Sequence, residues 1–204
     1  VTAKNKQLWL LAGANGAGKS TFHRLFLEKR GLAMVNADQL ARTLCPTDPE
    51  SASYEAAAQA EILRNDLLES GASFCFETVF SHTSKIDFVA RAKSLGYRII
   101  LVFIHLDSAD LNVLRVSQRV MEGGHDVPQD KIRSRLPRTL SNIKQALPLF
   151  DESRLLDNSS ALDPFRVVAK ASAEFVEIDV QTAPDWALHL LEDRLKSYMS
   201  IGLD

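Results

Sequence analysis

Eight consecutive residues, Gly13-Ala14-Asn15-Gly16-Ala17-Gly18-Lys19-Ser20, satisfy the spacing G-x-x-x-x-G-K-[ST]. Small residues in such a loop let successive backbone N–H groups curl around a phosphate chain, and a helix opening at its end adds a favourable dipole. A lysine in the seventh place reaches the outer phosphates and neutralises charge as a phosphoryl group moves, while the hydroxyl after it suits Mg²⁺. Lys19 and Ser20 are expected in those roles, with Thr21 capping the helix or touching the α-phosphate. The expected ligands are ATP and Mg²⁺. A dinucleotide fingerprint fits poorly, because Lys19 is badly placed for one.

Two acids follow short apolar runs. Asp38 comes after 33–35 and Glu77 after 72–76. At the C-terminal rim of a parallel sheet, such carboxylates face the crevice where ligands bind. One of them there can take the proton of an attacking hydroxyl. Asp38 is the first choice for that base, and Glu77 is the rival, with a role in orienting the acceptor or the magnesium waters. Asp107 reads either as a magnesium ligand after the run 99–106 or, with Ser108, as a helix cap, the cap being slightly favoured. Arg115, Arg119, Arg133 and Arg135 flank or occupy a glycine-bearing stretch, where guanidinium groups on a closing lid would meet the charge of a phosphoryl transition state. His125 follows two glycines, and it either pins that loop or touches substrate.

The elements that must carry these groups alternate. Strands are predicted at 8–12, 33–35, 72–76, 97–106, 166–169 and 174–178. Helices are predicted at 19–29, 54–69, 84–95, 110–121, 130–147 (kinked near Pro137) and 184–198, with loops over 43–53 and 122–129. Strands alternating with helices predict an α/β fold, a three-layer αβα sandwich around about five parallel strands with a helical lid. Residues 1–204 are expected to form one P-loop kinase-like domain, with about 120–148 as a lid-like helical excursion. Phe74, Phe76, Phe80 and Phe103 are expected in the core.

Composition sets outer bounds. With 204 residues, 46% hydrophobic and 25% charged, the chain has ordinary globular usage. Twenty-four basic against 26 acidic residues leave a net charge of −2, which argues weakly against a nucleic-acid partner. Cys45 and Cys75 lack metal-ligand spacing and are expected as plain thiols. The longest apolar segment, 99–104, is strand-sized, and no leader pattern is evident, so a non-membrane, cytoplasmic protein is expected.

The run from Ala12 through Thr21, then Val35-Asn36-Ala37-Asp38, then Phe76-Glu77-Thr78, resembles the zeta-toxin family of bacterial P-loop kinases, and in particular its small, stand-alone chromosomal members. Arg119-Val120, Gly123 through Pro128, Ile132-Arg133-Ser134-Arg135 and Asp157-Asn158-Ser159 continue the match. The resemblance implies a phosphotransferase with ATP or GTP as donor, acting on UDP-N-acetylglucosamine and restrained by a cognate antitoxin. It implies Asp38 as the base and Glu77 with Thr78 on the substrate side. It further implies lid arginines at Arg119 and at Arg133 or Arg135, and Asn158 near the nucleotide base. The leading expectation is thus a kinase that phosphorylates a hydroxyl of a small molecule. The alternatives are an ATPase or switch acting on a protein or nucleic acid, and an interaction module with a vestigial site.

Overall fold

A computed structural model describes residues 6–124 and 126–201, with side chains as far as 197. Strand β1 (Gln7–Ala12) is the short apolar run that leads into the glycine loop, buried from Leu8 onward. It pairs in parallel with β3 (Phe74–Thr78) on one side and β4 (Arg98–His105) on the other. Strand β2 (Ala33–Val35) adds to β3, and β5 (Glu152–Asp157) to β4, again in parallel. Beyond β5 come β6 (Arg166–Ser172) and β7 (Val176–Ile178), both antiparallel, giving the order β2-β3-β1-β4-β5-β6-β7.

The sheet therefore has seven strands, the five parallel ones expected in number and two antiparallel ones added at one edge. The parallel set gains β5, whose sequence Glu-Ser-Arg-Leu-Leu-Asp offers only Leu155 and Leu156 as apolar markers. The two outer strands are antiparallel because residues 158–165 and 173–175 are too short for the crossover of a dozen or more residues that a parallel neighbour needs.

Period-two alternation divides the sheet into two buried faces. Leu8, Leu10, Phe74, Phe76, Ile99, Leu101, Phe103 and Leu155 point to the face covered by α3 (Ser53–Glu69), α4 (Ser84–Ser94), α6 (Gln129–Ala146) and α7 (Asp185–Ile201). Trp9, Leu11, Cys75, Ile100, Val102, Ile104 and Leu156 point to the other, covered by α1 (Lys19–Phe22) and its continuation. Each fully buried Leu, Ile or Phe contributes about 1.5–3 kcal/mol, so these two sets supply most of the apolar stabilisation. The four phenylalanines expected in the core are there, with Phe80 completing the first face. Among the described residues no helix is long and apolar enough to cross a membrane.

Local outcomes differ from the sequence reading in two places. The single helix expected over 19–29 is α1 followed by a π-helical turn, His23–Leu27, and a 3₁₀ turn, Glu28–Arg30, closed by Gly31. A helix not anticipated, α2 (Ala37–Leu44), starts directly after β2. Asn36 is its N-cap, accepting from the Gln39 amide at 3.2 Å. The remaining helices are close to expectation: α5 is Ala109–Met121, and α6 runs continuously through Pro137. The second half of α6 is anchored, since Thr139 Oγ1 donates to the Val79 carbonyl (2.9 Å) and Asn142 Nδ2 to the Phe80 carbonyl (3.0 Å).

Candidate active site

The glycine loop joins β1 to α1 at the C-terminal rim of the sheet. Gly18 holds a φ of 98°, and a Cβ there would lie 2.6 Å from Asn158 Nδ2. Gly16, at φ 78°, would meet the Asn112 carbonyl oxygen at 2.6 Å. Any side chain at either position must displace the loop. Asn112 Nδ2 donates to the Asn15 carbonyl at 2.7 Å, and Asn158 Nδ2 donates to the Ala17 carbonyl at 2.9 Å. Two buried amides, one from the first turn of α5 and one just after β5, thus fix the loop's path. Phe165 closes this side; its N–H bonds Asn158 Oδ1 at 3.2 Å, and its own φ of 58° is left-handed.

Glu77, near the end of β3, is the hub. It accepts from Asn36 Nδ2 at 2.8 Å and from Ser20 Oγ at 3.2 and 3.3 Å, and Lys19 Nζ stands 3.8 Å away. Lys19 also donates to the Ala14 carbonyl at 3.2 Å. The same Asn36 therefore caps α2 and orients Glu77. Asp38, in the first turn of α2, is left uncommitted to capping and faces the crevice.

Two cavities meet here. A cleft of about 520 Å³ is lined by the glycine loop, Ser20, Thr21, Arg42, Arg115, Arg119, Asn158 and Phe165. A second cavity of about 210 Å³ is lined by Asn36, Arg64, Thr78, Phe80, Lys85 and Arg135 among others. Lys19, Asp38 and Glu77 line both. Phe80, with a φ of 62°, is a bulky residue in a conformation that costs free energy, and it sits in the wall of the smaller cavity. Its N–H bonds Thr78 Oγ1 at 3.0 Å.

The arginines separate. Burial lowers the pKa of the half-buried Arg119 guanidinium, with Arg42 adding to the effect, while the charges of Asp38, Asp126 and Glu77 oppose it. Arg135 reaches the smaller cavity. Arg133 lines neither cavity; it is half-exposed and paired with Asp110 at 2.6 Å. Asp107 is exposed, and the cap of α5 is Ser108, whose hydroxyl accepts from the Leu111 amide at 3.2 Å. His125 lies outside the described residues.

Several lining residues escaped the sequence reading. Asn36 with Gln39 three residues on is a capping signature that would have revealed α2. Arg42, Arg64, Lys85 and Asn112 carry no such signal, because only the packing of distant elements brings them to the site.

A model of the family described as "Zeta toxin" matches residues 1–161. The chain belongs to the zeta-toxin family. The matched part of this zeta-toxin member ends just after Asn158, so β6, β7 and α7 lie beyond it. An uncharacterised protein of Haemophilus influenzae is 28% identical over 137 residues, covering 64% of this chain and 97% of that protein. Among solved structures, the AvrRxo1-ORF1:-ORF2 complex with ATP aligns at a TM-score of 0.68 and 20% identity, covering 87% of this chain. This chain spans about three-fifths (61%) of the AvrRxo1 chain that it matches. A chain of the PezAT chromosomal toxin-antitoxin system of Streptococcus pneumoniae aligns at 0.60 and 15% identity, covering 83% of this chain and 76% of that one. A putative kinase from Chloroflexus aurantiacus aligns at 0.52 and 17% identity, covering 65% and 78%. These likenesses establish the fold, a mixed α/β P-loop-like sheet with a helical lid.

Proposed function

We propose that this zeta-toxin member transfers the γ-phosphoryl group of ATP to a hydroxyl of a small molecule, the nucleotide occupying the larger cavity and the acceptor the smaller. The observation that carries this reading is the set Lys19, Asp38 and Glu77 lining both cavities. A phosphoryl group moving from one ligand to the other would pass those three side chains.

In this reading Gly13 to Thr21 cradle the phosphates and Lys19 follows the charge that moves to the leaving oxygen. Asp38 takes the proton of the acceptor hydroxyl as its oxygen attacks phosphorus. Glu77 orients the acceptor with Thr78, and with Ser20 it supplies the hard oxygens that suit Mg²⁺; their 3.2 Å separation fits two ligands on one ion. Mg²⁺, when bound, would neutralise phosphate charge. Arg119 and Arg135 are proposed to stabilise the transferring group, Arg133 less so given its pairing with Asp110. The mobile part of the lid is proposed within about 120–148, from the loop after Met121 to the first turns of α6, with His125 as a substrate contact. Asn158 is proposed beside the nucleotide.

ATP as donor is supported by the neighbour crystallised with it, and GTP is the alternative. UDP-N-acetylglucosamine is the acceptor that the family resemblance puts first for testing. A protein partner of the antitoxin kind is proposed from the two complexes among the structural neighbours. A cytoplasmic site of action, where ATP is plentiful, accords with this chemistry.

The test is Asp38→Asn. ATP affinity should stay within about twofold, while transfer to any accepted metabolite should fall by roughly 10²–10⁴. Transfer at near wild-type rate would remove Asp38 from the role of base.

A further inference from the structure

The smaller cavity has a charge pattern that phosphoryl transfer does not require. Its walls are largely apolar, with Ala57, Ala60, Phe76 and Phe80 facing it. Into this setting α3 sends Arg64, only 5% exposed. The Arg64 guanidinium lies 5.3 Å from the Phe76 ring and 5.2 Å from the Phe88 ring. One of its terminal nitrogens meets Glu61 at 3.2 Å, but that carboxylate is 60% exposed and turned to solvent. The buried Nε has no hydrogen-bond partner among the described residues.

From α4, Lys85 comes to the same aromatic ring, its Nζ 5.9 Å from the Phe76 centroid. Burial pushes the Lys85 ammonium pKa down and the Arg64 charge pushes it further, with Glu61 opposing weakly. Two cations from different helices thus share one largely apolar cavity, and Arg135 from α6 and Lys19 from the glycine loop join them. Two carboxylates line the same cavity, but Glu77 is already engaged by Ser20, Asn36 and Lys19, and Asp38 is assigned above to the acceptor's hydroxyl proton. A buried cation whose counter-charge lies out in solvent is costly, and a site that gathers several cations is made favourable by a bound anion.

Size narrows the class. At about 210 Å³ the cavity falls below the roughly 300–1,000 Å³ of pockets that enclose drug-sized ligands. A molecule of a few carbons fits within it.

We propose that the acceptor is a small hydroxylated acid, its carboxylate or phosphate held by Arg64 and Lys85 and its hydroxyl presented to Asp38. This inference rests on the phosphotransferase reading above and narrows its substrate class. In the step itself the acceptor oxygen forms a bond to the γ-phosphorus, and the bond from that phosphorus to the β,γ-bridging oxygen breaks. The hydroxyl proton passes to Asp38 and then to solvent, and ADP leaves with the bridging oxygen.

The experiment uses the full chain with Mg²⁺ and a non-hydrolysable ATP analogue, so that the glycine loop is filled. Ligand-observed NMR titrations then compare glycerate, glycerol 3-phosphate, glycerol and UDP-N-acetylglucosamine. An acid should bind at least about tenfold more tightly than glycerol, as expected for hydrogen bonds to charged donors, and Lys85→Met should abolish that preference. Preference for glycerate or for glycerol 3-phosphate assigns the anion as carboxylate or phosphate. Arg64→Met is the second variant, checked by thermal melting because Arg64 packs between two rings. Equal binding of glycerol overturns the inference. So does an acid preference that survives in both variants, the absence of acid binding, or UDP-N-acetylglucosamine binding that ignores Lys85. A parallel incubation with γ-³²P-ATP separates the two readings. Acid binding without labelled product would keep the anion subsite and sink the transfer reading, whereas transfer to the acid by Lys85→Met and by Arg64→Met at the wild-type rate would do the reverse.

Discussion

The 520 Å³ cleft is built on one eight-residue run whose path two asparagines fix through its carbonyls. In the 210 Å³ cavity the polar groups arrive one or two at a time from α2, α3, α4 and α6. Each side also holds one bulky residue in left-handed backbone conformation, Phe165 in the first and Phe80 in the second. The two differ in how their geometry is held. The cleft is rigid because glycine positions and buried amides leave its backbone no alternative. The smaller cavity is shaped by side chains, so a single substitution on one helix alters what it accepts without disturbing the other side. In the proposed reading the first side cradles the donor and the second is an acceptor pocket that single substitutions can tune.

That contrast yields a graded series of outcomes. The largest belongs to the wall of the larger cleft: Arg119→Ala should lower kcat by about 10²–10³ with little change in ATP affinity, measured by steady-state transfer. A change confined to KM would move Arg119 from transition-state contact to ground-state binding.

Next comes the end of the strand behind the glycine loop. His105, at the end of β4, lies against Phe103 and Trp186, and its backbone carbonyl accepts from the Asn158 amide at 3.0 Å. Burial pushes its imidazole down to about 4, with the nearby Asp157 charge only partly opposing. The unfolded chain takes up that proton near pH 6.5 and the folded chain does not, so folding stability falls as pH drops below about 6.5 and levels off below about 4. The total amounts to about 3 kcal/mol. Urea unfolding at pH 6.5 and 5 should differ by about 2 kcal/mol, and His105→Gln should flatten that slope.

Smaller still is the effect of the buried amide behind the loop. Asn112→Ala removes the donor to the Asn15 carbonyl and should cost about 1–3 kcal/mol of stability, with a matching loss of ATP affinity. Loss of stability alone would mean that the loop keeps its path unaided. Arg133→Ala is the least, within about 1 kcal/mol, because its half-exposed pair with Asp110 is screened by solvent. A large drop in transfer there would show that the lid swings Arg133 inward.

The same division governs what the sequence reveals. The glycine loop is contiguous, so its spacing alone locates Lys19 and Ser20 between a strand and a helix. Asp38 and Glu77 were legible because apolar runs ending at the sheet rim point their next residues at the crevice. Arg64 and Lys85 were not, since a mid-helix Arg in an alanine-rich stretch reads as a solvated face until packing buries it. Strand β5 was missed for want of apolar pattern, and α2 for a capping signature passed over in favour of the acid beside it.

The most direct measurement incubates the protein with γ-³²P-ATP, Mg²⁺ and a small-molecule extract of bacterial cells, with Lys19→Ala as control, and partitions the label between metabolites and free phosphate. Label is expected in one small phosphorylated compound that disappears in the control. Label found only in inorganic phosphate, in every extract, would contradict transfer between the two cavities and leave an ATPase in its place.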